Sequence, residues 1–331
     1  MSGPSHSAPD GAIVIGLSAV VVAIADDEAV VLTVRPPGAS LEGLPFGPFD
    51  PQGHRTFELA MRAFVTEQTR FNLGYVEQLY TFGDKGRDAP VADMGDRGGG
   101  ERSDHARVIS VGYLALAPTP VDTHAPGSEW RPWSRFFPYE DWREGRPGAL
   151  APIEEALRRW ADGDAQRISR ARLLFALDGA PWNEERVLER YELLYEAGLA
   201  PEAARDRGEG QNPLPGPLAA ALGAPMLSDH RRILATAVSR LRGKLKYRPV
   251  VFELMPEAFT LSALQRAVEA IAGVALHKQN FRRALERAEL VEGLGRMDAE
   301  TGGRPAELYR FRREILGARP VSGLSLPLLR D

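Results

Sequence analysis

Lys278, Gln279, Asn280, Arg282, Arg283 and Arg287 crowd into one short stretch near the C-terminus, interrupted by Phe281, Ala284 and Leu285. At helical spacing the three apolar residues would face inward and the cations and amides outward. Arg and Lys pair with guanine acceptors, and Asn and Gln with adenine, in the DNA major groove, so this face has the chemistry of a recognition helix. A helical hairpin with an ordinary solvated face is the alternative. Carboxylates offer less: Glu58, Glu67, Glu77 and Asp84 could meet on a metal only from different elements. His6, His54, His105, His124, His230 and His277 show no ligand spacing of the H-x3-H kind, so no metal site is expected. The chain has no cysteine, which excludes disulfides, thiolate metal sites and a Cys nucleophile.

The elements needed to present that basic face can be read on either side of it. Thr260 is placed to cap a helix whose Leu261, Leu264, Val268 and Ile271 form an apolar stripe, and Gly273 is placed to end it. A short turn at 274–276 then opens the second helix. Residues 290–294 and 306–311 read as two strands of a hairpin around a polar tip, which completes a winged helix. Thr260 and Ser262 on the first helix join the candidate DNA contacts, and Arg304 at the wing tip would enter a minor groove or meet phosphates. A long amphipathic helix over 228–246, with Leu234, Val238, Leu241 and Leu245 on one side, leads into this module and is a candidate dimer element. Asp229 and His230 at its start sit where ligand occupancy could reach the DNA-binding module, but a first-turn acid and a surface histidine is the favoured reading.

Charge supports the division. Residues 226–331 carry 19 Lys+Arg against 12 Asp+Glu, a net of +7, whereas residues 1–225 carry 22 against 33, a net of −11. A basic module on an acidic body favours a polyanionic partner, nucleic acid first. At 331 residues the chain is long enough for about two domains. Its longest apolar run, 11–25, is too short to span a membrane and reads as a buried strand, no basic residue precedes it, and a cytoplasmic protein is expected. A second strand follows at 29–34 across an Asp26-Asp27-Glu28 turn. A helix is expected over 56–68, where Phe57, Ala60, Met61, Phe64 and Val65 form one stripe. Strands at 75–82 and 108–116 flank a Gly/Asp/Arg-rich loop at 88–105. Residues 142–222 read as helical, over 153–160, 168–177 and 184–197, with Asn183 as N-cap, Gly198 as C-cap and a linker at 211–217.

Within residues 44–87 the pattern resembles a Nudix box, G-x5-E-x7-R-E-U-x-E-E-x-G-U with U aliphatic, whose glutamates hold divalent ions that activate water against a diphosphate. Arg62 takes the Arg position, but Ala63 and Thr66 stand where glutamates are needed, Thr69 replaces the Gly, and Glu67 alone survives; Gly53 or His54 falls at the upstream glutamate. One carboxylate cannot assemble a multi-ion site, so no catalytic residue is assigned. A Nudix-like domain before a winged helix resembles the Nudix-related transcriptional regulators of bacterial NAD metabolism, the NrtR and NadQ types. The segments that carry the resemblance are GPFDPQGHRTFE, GYVEQLYTFGDKGR, SDHRRIL, LRGKLKYRPVVFELMPEAFTLSALQ, NFRRAL and GGRPAELYRF, and the long loop and helical insert look more like the NadQ type.

That resemblance implies an α+β protein: a flexible tail (1–11), a Nudix-like mixed-sheet α/β/α sandwich that senses a nucleotide (12–140), a helical insert and linker (141–225), a winged helix-turn-helix (226–320) and a C-terminal tail (321–331). It implies a homodimeric repressor of NAD-biosynthesis genes that binds a double-stranded DNA operator under the control of ATP, NAD or ADP-ribose. Arg35 and Arg62 are the candidate diphosphate partners, because guanidinium groups bind phosphate oxygens bidentately, and Tyr80 and Phe82 could stack an adenine. A Glu58 salt bridge for Arg62 and core packing for the two rings are the alternatives. A Nudix-type pyrophosphohydrolase acting on ADP-ribose or related diphosphates, with an accessory C-terminal domain, is the rival function.

Overall fold

The computed structural model describes residues 13–84, 87, 107–118, 120, 125–208, 214–298 and 305–314. The expected tails, the loop at 88–105, His6, His105, His124 and Arg304 lie outside them.

The apolar run becomes β1 (Ile13–Ala25), and its residues are hydrophobic without alternation because both of its faces are covered. Leu17, Ala19, Val21 and Ala23 pack with one cluster and Val20 and Val22 with another. β2 (Glu28–Val34) returns antiparallel through a turn in which Asp26 and Asp27 both have positive φ, 48° and 62°, the backbone that tight hairpins require. After β3 (Phe46–Pro48), α1 (Phe57–Thr69) starts on Thr56, whose hydroxyl accepts the Leu59 N–H. α1 lays Ala60, Met61, Phe64 and Val65 on the sheet. β4 (Tyr75–Phe82), β5 (Arg107–Leu116) and β6 (Ser128–Pro132) complete a mixed sheet in the order β4-β5-β1-β2-β6, with β5 parallel to β1 and β3 paired to β1. The expected α/β/α sandwich is therefore present. β3 and β6 were not expected: they are short, polar or Pro-containing edge segments with no period to read.

Helices α2 (Leu150–Ala161), α3 (Ala165–Leu174), α4 (Val187–Glu196), α5 (Pro201–Asp206) and α6 (Gly216–Leu222) pack against one another, and the long α7 (His230–Tyr247) lies on the other face of the sheet with α4 along it. Asn183 does not cap α4, which begins at Val187; its Oδ1 instead accepts the Glu185 N–H at 3.0 Å in the preceding turn. α3 stops at Leu174, because Ala176 takes a left-handed backbone. Gly216 and Pro217, expected in a linker, form the first turn of α6, where the missing Pro N–H has no cost.

The C-terminal part contains β7 (Phe259–Thr260), α8 (Leu261–Ala272), α9 (Lys278–Ala288), β8 (Val291–Asp298) and β9 (Ala306–Phe311), with a sheet in the order β7-β9-β8. Helix, turn, helix and antiparallel hairpin are thus as expected, although β8 runs four residues past 294. One hydrophobic cluster joins this module to the helices and the sheet, since Phe259, Leu264 and Phe281 belong to the same core as Leu234, Leu193 and Val20. Among the described residues no helix is long and apolar enough to cross a membrane.

Charge is buried at the junction of these parts. Glu140 accepts from Arg190 at 2.6 and 2.8 Å and from Arg242 at 2.7 Å, and all three side chains are at most 1% exposed. Removing the carboxylate would strand two guanidinium groups in the interior. Glu140→Gln is expected to lower unfolding free energy by about 3–5 kcal/mol, the usual cost of breaking a buried pair, as read by chemical denaturation.

Candidate functional site

α9 is held by its neighbours before it can present anything. Gln265 Nε2 donates to the Leu276 carbonyl at 2.9 Å, and Glu269 accepts the Leu276 N–H at 2.8 Å, so two side chains of α8 fix the turn between the helices. Gly273 ends α8 with φ +70°, and a Cβ there would lie 2.5 Å from both Arg242 Nη2 and the Glu140 carbonyl oxygen. Phe281, Ala284 and Leu285 are buried, whereas Lys278, Gln279, Asn280, Arg282, Arg283 and Arg287 are exposed on the opposite side. His277 stands at the N-cap without a side-chain bond, which leaves first-turn N–H groups able to meet an anion.

Two first-helix candidates differ from this pattern. Thr260 is 7% exposed and its hydroxyl accepts the Ala263 N–H at 3.1 Å, so it is a capping residue rather than an outward contact. Ser262 is half-buried. The wing adds two residues that sequence reasoning missed: Arg296 and Met297 are exposed on β8, beyond the point where the strand was expected to stop. The register shift between Gly293 and Met297 leaves no alternation there to read.

A second site lies in the sandwich. A cleft of about 380 Å³ is bounded by the end of β2, by β3, by the C-terminal turn of α1 and by Ala125 and Pro126. Arg35, Glu67, Gln68 and Arg70 supply its polar groups and Phe46 and Phe64 its apolar wall. Of the four proposed nucleotide residues, Arg35 alone lines it. Arg62 donates to Glu58 at 2.9 Å and to the carbonyls of Leu73 and Gly74 at 2.6 and 3.1 Å, which ties α1 to the following loop and commits its guanidinium to structure. Phe82 is buried at 4% exposure under Arg232, so it packs the core. Tyr80, 60% exposed, sits on edge strand β4, two strands from β3. Gln68 and Arg70 were missed because they fall at the unspecified position before Thr69 and at the final aliphatic position of the box, neither of which its chemistry uses; Arg70 adopts φ 60° where α1 ends.

The four carboxylates of the rival metal reading do not converge. Glu58 pairs with Arg62, Glu77 with Lys244 and Asp84 with Arg232, on separate elements. Among the described residues no group of three or more His, Asp and Glu could hold a metal.

Asp229 and His230 are not what the sequence suggested. His230 is 4% exposed; its Nδ1 accepts the Leu44 N–H at 3.0 Å and its ring meets Phe46 edge-on at 4.9 Å. Burial, with Arg205 nearby, lowers its pKa to about 3, so it is neutral. Asp229 occupies the N-cap position of α7 without a capping bond, and burial raises it to about 7 against the pull of Arg232. The two contributions to stability run in opposite directions. His230 charges in the unfolded chain near 6.5, so its contribution is complete above that pH and is lost as pH falls toward 3. Asp229 contributes fully below 3.8, and its contribution is lost as pH rises to about 7. For His230→Asn, the stability deficit relative to the native chain is expected to be smallest near pH 4 and largest at pH 7, measured by urea unfolding across that range.

With this geometry in place, comparison with known proteins locates the fold. Residues 251–311 match the family model of the NrtR DNA-binding winged helix domain. A 91-residue segment is 40% identical to the "ADPR responsive transcriptional repressor NtrR" of Acinetobacter baylyi, covering 28% of this chain and 36% of that protein's length. The crystal structure of Shewanella oneidensis NrtR complexed with a 27mer DNA is similar at 22% identity and TM-score 0.52, over 90% of this chain and 93% of that one. The crystal structure of Shewanella oneidensis NrtR is similar at 21% identity and TM-score 0.51, over 96% of this chain and 98% of that one. Residues 251–311 thus match an NrtR-type winged helix domain, and the chain shares the fold of Shewanella oneidensis NrtR over 90% of its length.

Proposed function

We propose that the protein is a DNA-binding transcriptional repressor of NAD-biosynthesis genes, controlled by an adenine nucleotide in the cleft of its Nudix-like domain. The observation that carries this reading is the exposed cation and amide face of α9, held rigidly on a winged helix of the NrtR type. The relative from Acinetobacter is responsive to ADPR, which makes ADP-ribose the first effector to test, before NAD and ATP. Arg35 and Arg70 on the cleft rim suit a diphosphate, and Phe46 and Phe64 give it an apolar side.

The same reading makes the protein a regulator without hydrolase chemistry, because Ala63 and Thr66 leave Glu67 as the one box carboxylate. It takes residues 12–140 as sensor, 141–225 as insert and 226–320 as DNA-binding unit, acts in the cytoplasm and works as a homodimer, since two-fold symmetry doubles the few base pairs one winged helix reads.

Three measurements test this. Salt-sensitive, sequence-specific binding to duplex DNA from the chain's own gene neighbourhood is expected. Arg282→Ala and Arg283→Ala should each either relax preference at one position at a cost of about 1–3 kcal/mol or weaken all sequences and flatten the salt slope by about one unit; unchanged affinity and slope in the double variant would remove α9 as the reading head. ADP-ribose should raise the melting temperature, and Arg35→Ala or Arg70→Ala should weaken its binding by about tenfold, the scale of one charged hydrogen bond. With Mg²⁺ or Mn²⁺ present, ADP-ribose should remain intact; metal-dependent release of AMP and ribose phosphate, abolished by Glu67→Gln, would favour the hydrolase instead.

A further inference from the structure

The wall of the cleft and the first turn of α7 share one short segment of chain. Phe46 lines the cleft, and its N–H and carbonyl are both held by the Gln68 side chain, at 3.1 and 2.5 Å. On its other side the Phe46 ring abuts His230, and two residues earlier the Leu44 N–H donates to His230 Nδ1. The Leu227 N–H, three residues before α7, donates to the Glu42 carbonyl at 2.9 Å. There is no slack between them: a Cβ on Gly43 would lie 2.5 Å from His230 Nδ1. Residues 42–48 are therefore clamped by α1 on the cleft side and by the start of α7 on the other.

α7 then runs 18 residues without a break, about 27 Å at 1.5 Å per residue. Near its far end the Arg242 Nε donates to the Ile271 carbonyl at 2.9 Å, in the last turn of α8. The path from cleft to helix-turn-helix thus passes through packed and hydrogen-bonded groups, with a rigid helix in the middle.

We propose that residues 42–48 couple the cleft to the DNA-binding unit, with His230 as the positioning residue that converts a displacement of Phe46 or Gln68 into a displacement of α7. The coupling rests on the reading of the protein as a nucleotide-controlled DNA binder. His230 is the residue that matters because it makes both contacts at once, an acceptor for a buried backbone N–H and an edge for an aromatic ring. Being neutral, it keeps that acceptor throughout the physiological pH range, so the coupling is set by occupancy of the cleft rather than by proton concentration.

The test uses the full chain, ADP-ribose, and a duplex selected by the native protein from a random-sequence pool. Duplex Kd is measured with and without saturating ADP-ribose, and ADP-ribose Kd is measured alone, for the native protein, His230→Leu and His230→Asn. The Leu variant keeps apolar packing and removes the acceptor; the Asn variant places an oxygen near the position of Nδ1. Expected for His230→Leu are separate affinities for duplex and ADP-ribose within about threefold of native, and a ratio of duplex Kd values that falls at least fivefold toward one. His230→Asn should restore much of the ratio. A full native ratio in His230→Leu overturns the coupling while leaving the nucleotide-controlled repressor intact. A native protein whose duplex affinity ignores ADP-ribose, NAD and ATP alike overturns the repressor reading and the coupling with it. Hydrogen exchange on the native chain keeps the proposal falsifiable if His230→Leu does not fold: ADP-ribose should change protection at 42–48 and at 227–234 together, and a change confined to the cleft overturns the coupling.

Discussion

The buried Glu140 carboxylate, shared by Arg190 and Arg242, is the interaction on which the arrangement of the molecule depends. It sits just after the sheet ends, Arg190 comes from α4, and Arg242 comes from α7. Arg242 also donates to the carbonyls of Glu140, Glu184 and Ile271, and Arg190 to those of Leu174 and Asn183. Buried guanidinium groups are tolerable only when their donors are satisfied, so every one of these elements is held in place by the need to supply an acceptor. Two cations against one carboxylate would be poor design on Coulomb energy alone. The carbonyls make up the difference, and they belong to four chain segments that local sequence does not connect.

From that centre the rest follows in order. Fixing Arg242 fixes α7 against α8, and Gly273 is required where α8 ends because Arg242 and the Glu140 carbonyl occupy the space a side chain would need. The Trp142 N–H donates to the Gly273 carbonyl at 2.7 Å, a second tie from the start of the helical insert to the turn before α9. The winged helix is thus seated on the body of the protein, not tethered to it. The cation and amide face of α9 points outward because Phe281, Ala284 and Leu285 have a core to enter.

The helical insert carries part of this scaffold through its tryptophans. Trp142 and Trp182 lie with ring centroids 4.5 Å apart, and the Arg190 guanidinium stands 3.8 Å from the Trp182 ring. Arg231 is a comparable case at the other end of α7: 1% exposed, it reaches Glu202 of α5 at 3.4 Å and the Phe136 carbonyl at 2.7 Å. The basic residues of 226–331, counted at first as charge favouring a polyanion, thus divide by burial. Arg231 and Arg242 hold the interior, while the cations of α9 remain outside.

Local pattern was enough for whatever depends on period and capping. The unbroken apolar residues of β1, the stripe of α1, Thr260 as a cap, and the two faces of α9 were legible because a helix or strand must bury one side regardless of what it packs against. The Nudix-like order of elements and the loss of box glutamates at Ala63 and Thr66 were equally open to reading. Tertiary structure alone decided which charges are used inside and which residues form the cleft. Arg62 was drawn to two loop carbonyls, His230 to a backbone N–H 186 residues away, and Thr260 to its own helix. Arg70 gained a place beside Arg35 from the left-handed turn that ends α1. The physical reason is common to these cases. A polar side chain within a folding chain goes to whichever donor or acceptor would otherwise be buried unpaired, and that partner is set by distance in space, which periodicity along the sequence does not encode.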